Sequence, residues 1–264
     1  MSQMNPELIE EVIGNTLTFI APSGYSYTIR EQNGNDDDIL SNPAEAESLM
    51  NLIKFVMAIV VNTDYTPNGK LTLDQALDMP SLDRYCIILK SRIFSIGREL
   101  EFSHNWGEKL GTVNYSQDLE EFVFDYSKEP TPEILAAKKE AIPYYPMGKV
   151  TKDIEVVTPS NKRVKFDVLT PRGESYIMEL PLDRRTKNAE LIARNLRLEV
   201  NGKMEKVTNF SIFSVADMRA IRKEVNMVDP IFMGNTEITH PSNPDLIKTI
   251  SIMGIPDFFF PEEI

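Results

Sequence analysis

The sequence predicts an α+β protein of two tandem related modules, each a β-hairpin, helices and a second hairpin. Three landmarks carry that reading. "FIAPSGYSYTI" (Phe19 to Ile29) and "VVTPSNKRVKF" (Val156 to Phe166) share two apolar residues, a small one, Pro-Ser, a turn residue and an alternating strand. Pro22-Ser23 and Pro159-Ser160 stand 137 residues apart, as do Gly97 and Gly234, and the two histidines, His104 and His240, stand 136 apart. A shared offset across landmarks in the same order points to a duplicated unit.

In the first half the Pro-Ser turn joins two strands, and the polar, breaker-rich "NGNDDDILSNPAEAES" follows. Asn42 or Ser41 before Pro43 offers a helix start, and "LMNLIKFVMAIVV" reads as an apolar helix. "NTDYTPNGK" is a loop, "LTLDQALDMP" a short helix ended by Pro80, and "SLDRYCIILKSRIFSIG" a long helix with Ser81 as its N-cap. Its apolar residues Leu82, Tyr85, Cys86, Ile88, Leu89, Ile93 and Phe94 recur at spacings of three and four. "ELEFSHNWGEKLGTVNY" then gives two strands around a glycine-containing loop.

The second half repeats this order. Strands are expected to fill Ile154 to Leu180, with "TPRG" as a turn, before a polar helix "DRRTKNAELIARNLR". "FSVADMRAIRKEVNMVDPIFMG" has Ser214 as N-cap and Met218, Ile221, Val225 and Val228 on one face, and "NTEITHPSNPDLIKTISI" is strand, loop, strand. Between the halves, Ser127 to Lys149 holds four of the 17 prolines and reads as a linker with one short helix at Pro132 to Glu140. The expected domains are a first, acidic module over 1–126, a Pro-rich linker over 127–149, and a second module with an aromatic tail over 150–264.

Composition narrows the function classes. The chain has 264 residues, 42% hydrophobic and 26% charged, as an ordered globular protein does. Residues 1–137 carry 22 acidic and 9 basic side chains, net −13, while the remainder is net +1. A field of that sign opposes phosphate backbones, so nucleic-acid binding is not expected; a basic protein partner suits an acidic face. The single cysteine, Cys86, allows no internal disulfide and fits a reducing compartment. The N-terminal stretch carries acids where a secretion signal needs basic residues, and the most apolar run, Leu49 to Val61, is too short to span a bilayer. These features predict a cytosolic protein with no membrane span.

Motifs for chemistry are sparse. "DYTPNGKLTLDQ" (Asp64 to Gln75) has the outline of a helix–loop–helix calcium loop, with Asp64, Asn68 and Asp74 as candidate metal ligands and a glycine at position six. Gln75 replaces the bidentate glutamate and Thr66 an acidic ligand, so the alternative function, a calcium-responsive cytosolic binding protein, rests on a degenerate loop. His104 and His240 lack ligands three residues on, where Gly107 and Asn243 stand, and a structural role capping the hairpins is expected. No nucleotide-binding, hydrolase or metalloprotease motif occurs, Cys86 falls on an apolar helix face, and neither a cofactor nor catalytic residues are predicted. Phe258, Phe259 and Phe260 cannot all face inward on one element, so burial over the tail's own module competes with a role as a partner anchor. Trp106, at a loop tip, is the other candidate partner-binding residue.

The stretch "LDRYCIILKSRIFSIGRELEFSHNWGEKLGTVNYSQDLEEF", together with "VADMRAIRKEVNMVDPIFMG" and the closing "FFFP", resembles the baseplate hub and baseplate assembly proteins of T-even-like contractile-tailed bacteriophages. The resemblance is one of element order and spans Leu71 to Asp125 and Ile154 to Pro261. In many members of that family C-x-x-C pairs occupy the hairpins; His104 to Gly107 and His240 to Asn243 stand there instead, so no metal-stabilised ribbon carries over. The resemblance implies a non-enzymatic structural or assembly protein. It would bind other phage baseplate or tail proteins in the host cytoplasm, in several copies per particle, and reside in the virion.

Overall fold

The computed structural model describes residues 15–46, 48–123, 149–229 and 234–261. Helices and small antiparallel sheets alternate, as an α+β chain requires. The linker short of Lys149, with its expected helix at Pro132 to Glu140, lies outside the described residues.

β1 (Thr16–Ile20) and β2 (Ser26–Arg30) form the first hairpin, with Phe19 opposite Tyr27 and Leu17 opposite Ile29. Three helices follow: α1 (Gly34–Leu40), α2 (Pro43–Ala46) and α3 (Met50–Ile59). The breaker-rich stretch therefore holds a helix. Asn33 and Asp36 cap it reciprocally, and Asp36 also takes both terminal nitrogens of Arg30, at 2.7 and 2.8 Å. Asn42 caps α2 as expected, but Leu49 at φ 58° starts α3 afresh, and the Val-Val end of the apolar run becomes β3 (Val60–Thr63) on β2. β-branched pairs suit a pleated strand better than a helix end.

α4 (Leu73–Asp78), capped by Thr72 and Gln75, leads into α5 (Ser81–Ser95). Pro80 occupies the cap position and Ser81 is the first helical residue, one step from the expectation; its amide reaches Leu169 O at 2.8 Å instead. β4 (Glu99–Asn105) and β5 (Thr112–Asp118) make the predicted hairpin.

In the second half β6 (Ile154–Val157) and β7 (Arg163–Phe166) pair across the second Pro-Ser turn. Strand does not continue to Leu180. Thr170 accepts the Gly173 amide and Pro171 takes the first turn of α6 (Pro171–Glu179), so "TPRG" is a helix start. A Cβ on Gly173 would stand 3.0 Å from Ala193 O, so the glycine also lets α6 lie close to α7 (Lys187–Ala193). β8 (Arg197–Val200) then pairs with β7 and with β9 (Lys203–Lys206). Asn201 and Gly202, at φ 52° and 77°, supply the positive φ that a two-residue hairpin turn demands. α8 (Val215–Val228) carries the expected cap and buries Met218, Ile221, Val225 and Val228. β10 (Asn235–His240) and β11 (Asn243–Ser251) close the chain's sheets, and short 3-10 turns at Ile252–Gly254 and Pro256–Phe258 form the tail.

Both halves therefore run hairpin, helices, a third strand on the hairpin's second strand, a long helix and a further hairpin. They differ in between, where α4 stands against β9 and a 3-10 turn.

Two apolar cores lie beneath these elements. The first gathers Tyr27, Ile29, Phe55, Ile59, Leu100 and Phe102, and the second Val164, Phe166, Leu196, Ile221 and Val225. α5 serves both, Leu82 and Tyr85 packing in the second and Ile87, Ile88 and Leu89 in the first. A helix between two cores is buried on most sides, which explains why Asp83, Arg84, Ser91 and Arg92 are buried as well. The tail crosses in the opposite direction: Ile252, Ile255 and Phe258 fill the first core. The halves interlock.

Candidate functional site

Each Pro-Ser turn is held by an aspartate in the first turn of the long helix of its own half. Ser23 donates its amide to Asp83 Oδ1 at 3.0 Å and its hydroxyl to Oδ2, where the Tyr27 hydroxyl also donates at 3.0 Å. Ser160 donates its amide to Asp217 Oδ1 at 3.0 Å and its hydroxyl to Oδ2 at 2.8 Å. The two latches differ electrostatically. Burial pushes the Asp83 carboxyl up to about 6, outweighing the donors from Ser23 and Tyr27. At Asp217 burial pushes the same way, but the Ser160 donors and the Ser214 amide prevail and hold the carboxyl well below the usual range.

The histidines meet at a junction between hairpins. Trp106 stands between them, edge-on to His104 with centroids 5.1 Å apart and to His240 at 5.5 Å. Its indole N–H donates to the Tyr115 hydroxyl at 2.8 Å, which donates to Thr239 O at 3.2 Å. The Thr236 hydroxyl donates to Gln117 Oε1, so β5 and β10 are tied side by side. Trp106 is thus half-buried against the neighbouring hairpin and the first core.

The three tail phenylalanines part company. Phe258 is fully buried, Phe259 packs on the first core and Phe260 is 42% exposed. Phe258 is committed to its own chain, in the core of the opposite half, and Phe260 is the exposed ring of the three. Beside it a groove of about 740 Å³ opens over the outer face of β4 and β5, walled by Glu99, Glu101, Ser103 and Asn114 and by Asp257 and Pro261 of the tail. Arg92 also lines it, so its three carboxylates leave an acidic balance that suits a cationic segment.

The candidate calcium ligands are not brought together. Asp64 accepts the Ser26 amide at 2.7 Å and pairs with Lys149 at 2.6 Å, which hold its carboxyl below its ordinary value against the opposing effect of burial. Asp74 pairs with Arg172, which also holds Asp78. Asn68 accepts the Lys70 amide at 3.3 Å, and Lys70 O accepts the Thr66 hydroxyl, so the loop satisfies itself. Among the described residues no group of three or more His, Cys, Asp or Glu side chains is placed to hold a metal ion. Burial pushes the Cys86 thiol up to about 12, which leaves it protonated. No helix of the described residues is long and apolar enough to cross a membrane.

The latch aspartates were the residues that sequence reasoning passed over, although both stand at the third position of a long helix after a serine, in "SLD" and "SVAD". No protein-family model, curated protein or solved structure matches the chain.

Proposed function

We propose that the chain is a structural or assembly protein of a contractile phage tail baseplate, acting through protein–protein contacts without catalysis. It is assembled in the host cytoplasm and resides in the virion, with other baseplate or tail proteins as partners. The element order that resembles baseplate hub assembly proteins motivates the class, and descent of the two halves from one duplicated unit accounts for their repeated latches and hairpins. The observation that carries the contact mechanism is the groove lined by Glu99, Glu101 and Asp257 and closed by Pro261, the residue next to the exposed Phe260. An exposed aromatic ring near a groove in which three carboxylates outnumber the one guanidinium, Arg92, combines an apolar anchor with electrostatic steering.

The test is co-purification of the full chain with contractile-tail proteins, using Phe260→Ala and Glu101→Lys. Both side chains are exposed, so the fold is expected to survive. Each variant is expected to lower recovery of partners about tenfold, with the Glu101→Lys loss weakening as salt rises. Undiminished recovery with both would sink the reading.

A further inference from the structure

The junction between the β4–β5 and β10–β11 hairpins joins opposite halves of the chain through two imidazoles. Lys248 Nζ on β11 lies 3.3 Å from His104 Nε2 on β4. An ammonium only donates, so Nε2 accepts and the His104 proton sits on Nδ1. His240 is 5% exposed, and its Nδ1 accepts the Ser242 amide at 3.2 Å, which leaves its proton on Nε2. That Nε2 is buried and makes no hydrogen bond among the described residues. Each ring therefore accepts from a donor, with Trp106 packed between the two.

We propose that this junction is a proton-operated catch: a proton added to His104 turns its accepting nitrogen into a second donor, and the hairpin tips part. At His104 the result is imidazolium against ammonium, two like charges on strands from opposite halves.

Among the described residues no carboxylate offsets the charge His104 would gain. Lys248 is the charge that acts on His104, while Val113 stands opposite it on β5, and Glu99 and Glu101 point from the other face of β4. His240 faces Trp106 and Asn243, with Glu237 on the other face of β10 and Asp245 exposed. Glu108 and Lys109 in the tip loop are exposed. Burial, and then the Lys248 charge, lower the His104 imidazole from its ordinary value, so the catch is closed at neutral pH. The hydroxyl links from Tyr115 to Thr239 and from Thr236 to Gln117 confine the motion to the tips.

Trp106 is the single tryptophan, so its emission reads the junction directly. The full chain is titrated from about pH 8 to about pH 5, spanning the imidazole range, with far-UV circular dichroism recorded in parallel. A reversible emission change with the dichroism unaltered is expected, with protection against amide exchange falling in β4, β5, β10 and β11 but not in β1 and β2, whose Asp83 latch strengthens as pH falls. Lys248→Met removes the opposing ammonium, and its midpoint should move up by about half a pH unit. His104→Gln, which cannot charge, should lose the larger part of the change. Flat emission, an unmoved midpoint in Lys248→Met, or exchange that rises everywhere at once would each overturn the catch.

Discussion

The amide and the hydroxyl of Ser23 both donate to the carboxylate of Asp83, 60 residues further along the chain. That pair fastens the first hairpin to the start of α5, and Ser160 fastens the second hairpin to α8 through Asp217 in the same way. The side chains of Ser23, Asp83 and Asp217 are all fully buried. Truncating Ser23 to alanine strips one donor from a carboxylate that water cannot reach. The expected loss is about 1–3 kcal/mol of unfolding free energy. Ser160→Ala should cost less, because Asp217 keeps the Ser214 amide and has Lys162 at 3.6 Å. Urea denaturation of the two variants measures the difference, and equal losses would contradict it.

The latches should respond to pH in opposite directions. Asp83 has its carboxyl raised from 3.8 to about 6 in the folded state, so its contribution is fully present below the unfolded value and is lost as pH rises through about 6. A rise of that size corresponds to about 3 kcal/mol. Asp217 is lowered, so its contribution is present above 3.8 and is lost as pH falls through the folded value. Asp83→Asn should flatten the decline in stability between about pH 4 and 6, and Asp217→Asn should flatten the acid limb below about pH 4. Denaturation midpoints across that range, with wild type alongside, decide it; parallel curves for all three proteins would refute the assignment.

How much of this was legible in the sequence differs by level. Caps at Thr72 and Ser214, the apolar stripe of α8 and the two hairpins at the histidines stood in local pattern, since caps and periodicity are written in neighbouring residues. Pro171 deceived because Thr-Pro-Arg-Gly has turn composition, yet Thr-Pro at a cap also starts a helix, and does so here. The Asn201-Gly202 turn was readable and was missed. What no local pattern carries is which element covers which. The stripe of α5 names an apolar face, but not that two cores embrace the helix and bury Arg84 and Asp83. Likewise nothing near Phe258 announces that it crosses to the first half, or that His104 and His240 end on either side of one indole.

That crossing separates the tail phenylalanines in energy. Phe258→Ala empties a fully buried site among Ile252, Ile255 and the first core, and should cost about 3–5 kcal/mol. Phe260→Ala, at an exposed ring, should change stability by less than about 0.5 kcal/mol. Thermal melts of the two variants give the comparison. Similar melting temperatures would mean that the tail is not packed where it is described.

Arg84 and Glu174 tie the halves together away from the tail. The guanidinium on α5 is 1% exposed and Nη2 lies 2.6 Å from Glu174 Oε2 on α6, with the Tyr85 ring 4.7 Å from the guanidinium carbon. Nε and Nη1 of Arg84 are buried without a hydrogen-bond partner among the described residues. Glu174 is therefore the counter-charge that makes burial tolerable, and Glu174→Ala leaves a cation in an apolar seam at a cost of about 3–5 kcal/mol. Arg172, which spans the same two halves through Asp74 and Asp78, is half exposed and in water's reach. Its alanine variant should lose at most about 1 kcal/mol. Because α5 belongs to both cores, both variants are expected to unfold in one transition, and Glu174→Ala should lower its midpoint. Two resolved transitions in Glu174→Ala, with the first-half latch still protected from hydrogen exchange after the second half has melted, would show that the seam does not couple the cores.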